Sequence, residues 1–182
     1  MSSKYKVGED ALPHFVFFSV VGWINIFSRK QYKELFVESL KYCQENKGLV
    51  LHAWVLMTNH VHLIISSNEN KLENIVRDLK KYTSKQIIKA VQVNNRESRK
   101  LWMLNIFSFT GKNNNNNKEF QFWQQDYHPI ELNTVEIMKQ RLNYLHENPV
   151  RSGLVWEPWH YKYSSTLDYY TNEHGLVNVE HL

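Results

Sequence analysis

The chain has 182 residues, of which 42% are hydrophobic and 22% charged, with a net charge of +4. That length suits one domain with a real core and is short for two, and the balance excludes disordered and fibrous classes. The single cysteine, Cys43, excludes a disulfide within the chain and any multi-cysteine zinc site, and makes a reducing, cytoplasmic location the expectation.

At the N-terminus, charges and Pro13 break the apolar run before it could serve as a secretory signal or span a bilayer, so no membrane association is expected. "HFVFFSVVGW", from His14 to Trp23, is β-branched and aromatic and predicts a buried strand. "SRKQYKELFVESLKYCQENKG" then places Tyr32, Leu35, Phe36, Leu40 and Cys43 at helical spacing, with Ser28 as N-cap and Gly48 as the stop. "LVLHAWVLM" and "HVHLIIS" predict two strands joined at Thr58 and Asn59, the length of a tight hairpin loop. From Leu72 to Val91 a second helix carries Leu72, Ile75, Val76, Leu79, Ile87 and Ala90 on one stripe.

Strand, helix, strand, strand, helix is the start of a split βαβ unit. The fold class expected is therefore α+β: a ferredoxin-like (RRM-like) antiparallel sheet with helices packed on it. A C-terminal helical or irregular extension follows. "ESRKLWMLNIFSFTG" predicts a short helix or irregular apolar segment, and the "KNNNNNK" run at 112–118 a flexible loop. "FQFWQQDYHPIELN" can supply a last strand or an extended segment. "NTVEIMKQRLNYLHENP" predicts a helix, with Asn133 and Glu136 as a capping box and Asn148 before Pro149 as its end. The whole chain, 1–182, is expected to be one domain, with its core at about 12–165 and a tail at 166–182.

Chemistry concentrates at "MTNHVHLIIS". Side chains alternate along a strand, so His60 and His62 share one face while Val61, Leu63 and Ile65 share the other. Two adjacent imidazoles can hold one metal ion but do not complete a site. Tyr82 and Gln86 lie four residues apart on the second helix, along the stripe expected to face the sheet. A glutamine amide placed there needs a polar partner, and a metal held by the histidines would supply one. The same helix is locally basic, with Arg77, Lys81, Lys85 and Lys89 as candidate DNA-binding residues. Arg151, after the expected helix end, joins them. Trp123, Tyr127, Trp156, Trp159, Tyr161 and Tyr163 are candidates for stacking on single-stranded nucleic acid, as basic residues interleaved with aromatics suit such a partner.

"MTNHVHLIIS", "LKKYTSKQI", "FWQQDYHPIEL", "YLHENPVRSGLV" and "YKYSS", in that order, resemble the single-tyrosine HUH transposase family, IS200-like, and its REP-associated branch in particular. The resemblance implies a DNA transposase and single-strand endonuclease acting next to hairpins of inverted or REP-like repeats. Tyr82 would be the nucleophile, forming a 5′-phosphotyrosine, with His60, His62 and Gln86 as ligands of Mg²⁺ or Mn²⁺. The family varies between Gln, Asn and acids at that last position. It includes monomeric and homodimeric members. Two alternatives stand beside it: a domesticated hairpin-DNA-binding protein that no longer transposes, and an unrelated H-x-H metallohydrolase.

Overall fold

A computed structural model describes residues 12–67, 72–114, 119–125 and 129–182. Its elements are β1 (His14–Ser19), α1 (Lys30–Lys47), β2 (Leu49–Leu56), β3 (His60–Ser67), α2 (Leu72–Val93), α3 (Lys100–Lys112), β4 (Ile130–Glu131), α4 (Val135–Arg151) and α5 (Thr166–Tyr170). The strands form one antiparallel sheet in the order β2-β3-β1-β4, as expected for a ferredoxin-like α+β fold. The fourth strand is only two residues long. Among the described residues no helix is long and apolar enough to cross a membrane.

The alternation of side chains divides the core in two. Val16, Phe18, Leu51, Trp54, Val61, Leu63 and Ile65 point to one face and pack with α1 and α2. Phe15, Phe17, Val55 and Ile64 point to the other, where Leu145 of α4 and Tyr161 cover them. Gly48 ends α1 in the left-handed region at φ 68°, where lack of a Cβ removes the steric cost. The residue capping the start of α1 is Arg29, without a side-chain hydrogen bond, and Ser28 instead donates to the carbonyl of Asn25.

Three local expectations are corrected. The buried stripe of α2 runs through Leu72, Ile75, Val76, Leu79, Thr83, Ile87, Ile88 and Val91, so Thr83 takes the inward position expected for Tyr82. Thr83 can be buried because its hydroxyl donates to the Leu79 carbonyl at 2.7 Å and accepts from the Trp123 indole at 3.0 Å. At α4, Thr134 rather than Asn133 caps the helix, accepting from the Ile137 amide at 3.2 Å. Pro149 does not end α4 either; the helix runs through it to Arg151, because a proline near the last turn removes little of the ladder. Asn148 is consequently still helical.

After α4 the chain returns along the outer edge of β2. The Leu56 amide donates to the Tyr163 carbonyl and the Ser165 amide to the Trp54 carbonyl, both at 2.9 Å. Fully buried Ser165 also binds His146 of α4 at 2.9 Å. Beyond α5, Val177 is buried in the main core and the Glu180 amide donates to the Leu51 carbonyl. The segment thereby covers an edge that would otherwise be free to pair with another chain.

Candidate active site on the outer face of the sheet

His60 and His62 open β3 on the α4 side of the sheet, with ring centroids 5.0 Å apart. Their parity dictates this: residues 61, 63 and 65 of the same strand point into the α1/α2 core. His62 is 3% exposed and lies between Phe17 at 4.9 Å and Phe15 at 5.5 Å, both rings stacked on it. Burial pushes its imidazole down to about 3, with the neighbouring His60 adding to the effect. Burial likewise lowers His60 to about 4, against an Asn148 hydrogen bond that raises it. Both rings are therefore neutral near pH 7, the form in which imidazole has a lone pair to donate.

Helix α4 supplies the opposite wall. Asn148 Nδ2 stands 3.2 Å from His62 Nε2, and the same side chain reaches His60. One turn earlier, the Tyr144 ring meets His62 edge-on at 5.4 Å and is 37% exposed, open on one side to solvent. The guanidinium of Arg151 lies 5.7 Å from the Tyr144 ring centroid, and that of Arg141 lies 5.3 Å from Phe15. Residues at i, i+4 and i+7 share one flank of a helix, so Tyr144, Asn148 and Arg151 converge because α4 continues through Pro149.

Asn59 completes the arrangement from the hairpin loop. Its Oδ1 is 2.7 Å from His60 Nδ1, which fixes the proton on Nδ1 and leaves the lone pair on Nε2. Outer partners of this kind orient metal-binding histidines. The donor set fits a divalent cation: the Nε2 atoms of two neutral imidazoles and an Asn148 amide that can present its oxygen to them. Among the described residues there is no cluster of three or more His, Cys, Asp or Glu, so a site here has to draw on that amide.

The residues expected at the site separate accordingly. His60 and His62 come together as expected. Tyr82 and Gln86 do not join them, since α2 packs on the opposite face of the sheet. Tyr82 is 54% exposed and its ring lies parallel to that of Tyr42 on α1, 6.5 Å away; Gln86 is half-buried. Lys81, Lys85 and Lys89 are exposed on α2, and Arg77 is engaged by Asp78 and Asn74. Of the aromatic candidates, Trp123 and Tyr161 are core residues, whereas Trp156 is 91% exposed. Tyr127 lies outside the described residues, as do 115–118 of the asparagine-rich run. Tyr144 and Asn148, which stand beside the histidines instead, repeat the Tyr-to-amide step of four residues found at Tyr82 and Gln86.

Sheet, covering helices and paired imidazoles define an α+β protein with a candidate site on a sheet face, between β3 and a C-terminal helix. Residues 13–120 match the family model described as "Transposase IS200 like", more than half of the chain. The chain belongs to that family of transposases. The structure is similar to that of a REP-associated tyrosine transposase bound to a REP hairpin, with a TM-score of 0.63 and 15% identity over 98% of this chain and 92% of that one. That likeness shows the fold. A candidate transposase of Deinococcus radiodurans aligns with a TM-score of 0.46 and 15% identity, over 79% of this chain and 94% of that one. No curated protein matches.

Proposed function

We propose that the chain is a metal-dependent nickase and strand transferase for single-stranded DNA next to hairpins, with Tyr144 rather than Tyr82 as its nucleophile. The observation that carries this is the position of Tyr144, edge-on to His62 and one turn from Asn148. The stretch matching the family includes the histidines and Tyr82 but ends before α4, so the assignment of Tyr144 rests on geometry alone.

His60, His62 and the Asn148 amide would hold the divalent ion, Mg²⁺ or Mn²⁺. When bound, it supplies a Lewis acid that polarises a phosphate oxygen and leaves open positions for substrate. The Tyr144 hydroxyl oxygen forms a bond to the phosphorus of a DNA phosphodiester as the bond to the 3′ oxygen breaks. The tyrosine proton leaves to solvent and the departing 3′ oxygen ends as a free hydroxyl. The 5′-phosphate remains on Tyr144. A phenol is ionised to only about one part in a thousand near pH 7, so attack needs positive charge close to the oxygen. Arg151, whose guanidinium lies 5.7 Å from the Tyr144 ring centroid, would stabilise charge on the phenolate and the phosphate. The linkage conserves phosphodiester energy, so a second DNA 3′ hydroxyl can reverse the attack and rejoin strands.

All these groups belong to one chain, which supports a site that works without a second copy. DNA reaching the Lys81, Lys85 and Lys89 row would meet it on the far side of the sheet, away from the scissile bond. The test is to mix the protein with hairpin oligonucleotides and Mn²⁺ and look on a denaturing gel for a covalent adduct. The account expects an adduct with wild type and with Tyr82→Phe, and none with Tyr144→Phe or with a chelator. An adduct that survives Tyr144→Phe overturns it.

A further inference from the structure

Beside His60 lies a residue that the chemistry above does not use. Trp23 has φ 53°, the left-handed region, and no other non-glycine residue among those described has a positive φ. A bulky side chain there is a genuine outlier, because its Cβ crowds the following carbonyl. Such conformations persist where the surroundings enforce them, and they cluster at functional sites. Gly22 just before it is also left-handed at φ 63°, so the chain turns sharply twice. The turn is held by Asn59, whose Nδ2 donates to the Trp23 carbonyl at 3.2 Å and to Asn25 Oδ1 at 3.0 Å. Asn59 thus orients His60 with its oxygen and holds Trp23 with its nitrogen.

Packing does not account for the cost. The Trp23 indole is 52% exposed, touching His60 at 5.9 Å and Phe17 at 6.4 Å between ring centroids. What the strained turn achieves is to lay a large aromatic plate at the open rim of the histidine pair. Indole faces stack on nucleobases with little regard to sequence. We propose that Trp23 is a stacking platform for one unpaired base next to the scissile phosphate, fixing the register of the single strand against His60. This rests on the nickase reading for the position of the phosphate.

The test reads binding without metal, and so does not depend on cleavage. The probe is a DNA hairpin with oligo(dT) arms carrying 2-aminopurine at one position after another. Wild type should quench the fluorescence at one or two adjacent positions. Trp23→Gly, which accepts the left-handed backbone, should lose that quench and need about tenfold more DNA for half-maximal binding, the range expected for one lost stack. Trp23→Asn, which also tolerates this conformation, should behave alike, and Trp23→Phe should restore both readouts. Melting temperatures of the glycine and asparagine variants at or near wild type keep the result from being one of unfolding. Unchanged quench and half-saturation in both variants overturn the proposal, as does the lack of any quench by wild type. Failure of the nickase reading would show separately, as a missing covalent adduct.

Discussion

Replacing Asn148 with alanine tests the metal centre through a quantity that needs no DNA. Without metal, the amide is the only hydrogen-bond partner of the His62 ring among the described residues, at 3.2 Å, since Nδ1 has none there. Its removal leaves a buried imidazole wholly unpaired, a cost of about 1–3 kcal/mol. The larger effect comes with Mn²⁺. Even outer partners of a metal site change affinity by about 10–100-fold, and a direct ligand should sit at the upper end. At a concentration 100 times the dissociation constant, bound metal stabilises wild type by about 2.7 kcal/mol. For a chain of this size that raises the melting temperature by roughly 5–10 °C. A hundredfold weaker variant at the same Mn²⁺ concentration gains only about 0.4 kcal/mol, or roughly 1 °C. Calorimetric melts of both proteins, with Mn²⁺ and with a chelator, give the two differences directly. An equal Mn²⁺ shift in wild type and Asn148→Ala would refute the amide as ligand.

Stability should fall in mild acid: burial lowers His146 to about 4 and His62 to about 3 from an ordinary 6.5, so the unfolded chain takes up protons first. That stability is complete above the ordinary value and declines as pH falls towards the folded values, by about 2 kcal/mol per ring at about pH 5. Urea midpoints measured near neutrality and near pH 5 check this, and equal midpoints count against it. Arg151→Ala should slow adduct formation and reduce the slope of log affinity against log salt by about 0.7, the share of one phosphate on a single strand; an unchanged slope removes Arg151 from the DNA. Thr83→Val strands the indole N–H of Trp123, which is 5% exposed, and should cost about 1–3 kcal/mol in denaturant titrations, whereas a neutral result would mean the indole finds another acceptor.

The sheet and its helices were legible because β1, β2, β3, α1 and α2 are locally consistent: apolar period, glycine stop and hairpin spacing agree. The histidine pair was legible for the same reason, from strand parity alone. The helix that stands beside the pair was not legible in the same way. Two helices carry a tyrosine four residues before an amide, and the apolar stripe of α2 together with the family resemblance points to Tyr82 and Gln86. Strand parity argues against that choice. Val61, Leu63 and Ile65 face α2, so His60 and His62 face away from it. Seeing this requires knowing which helix covers the outer face, a matter of topology rather than pattern. Reading Asn-Pro as a helix end also puts Asn148 at a terminus, whereas the helix carries it one turn past Tyr144. Trp23 gave no signal, because a positive φ at tryptophan has none in composition or periodicity.

The most direct test of the central claim is to locate the DNA on the protein. Wild type trapped with a hairpin oligonucleotide and Mn²⁺, digested with trypsin and analysed by mass spectrometry, should carry its nucleotide on the peptide from Leu142 to Arg151, at Tyr144. A nucleotide on the peptide from Tyr82 to Lys85 would contradict the account.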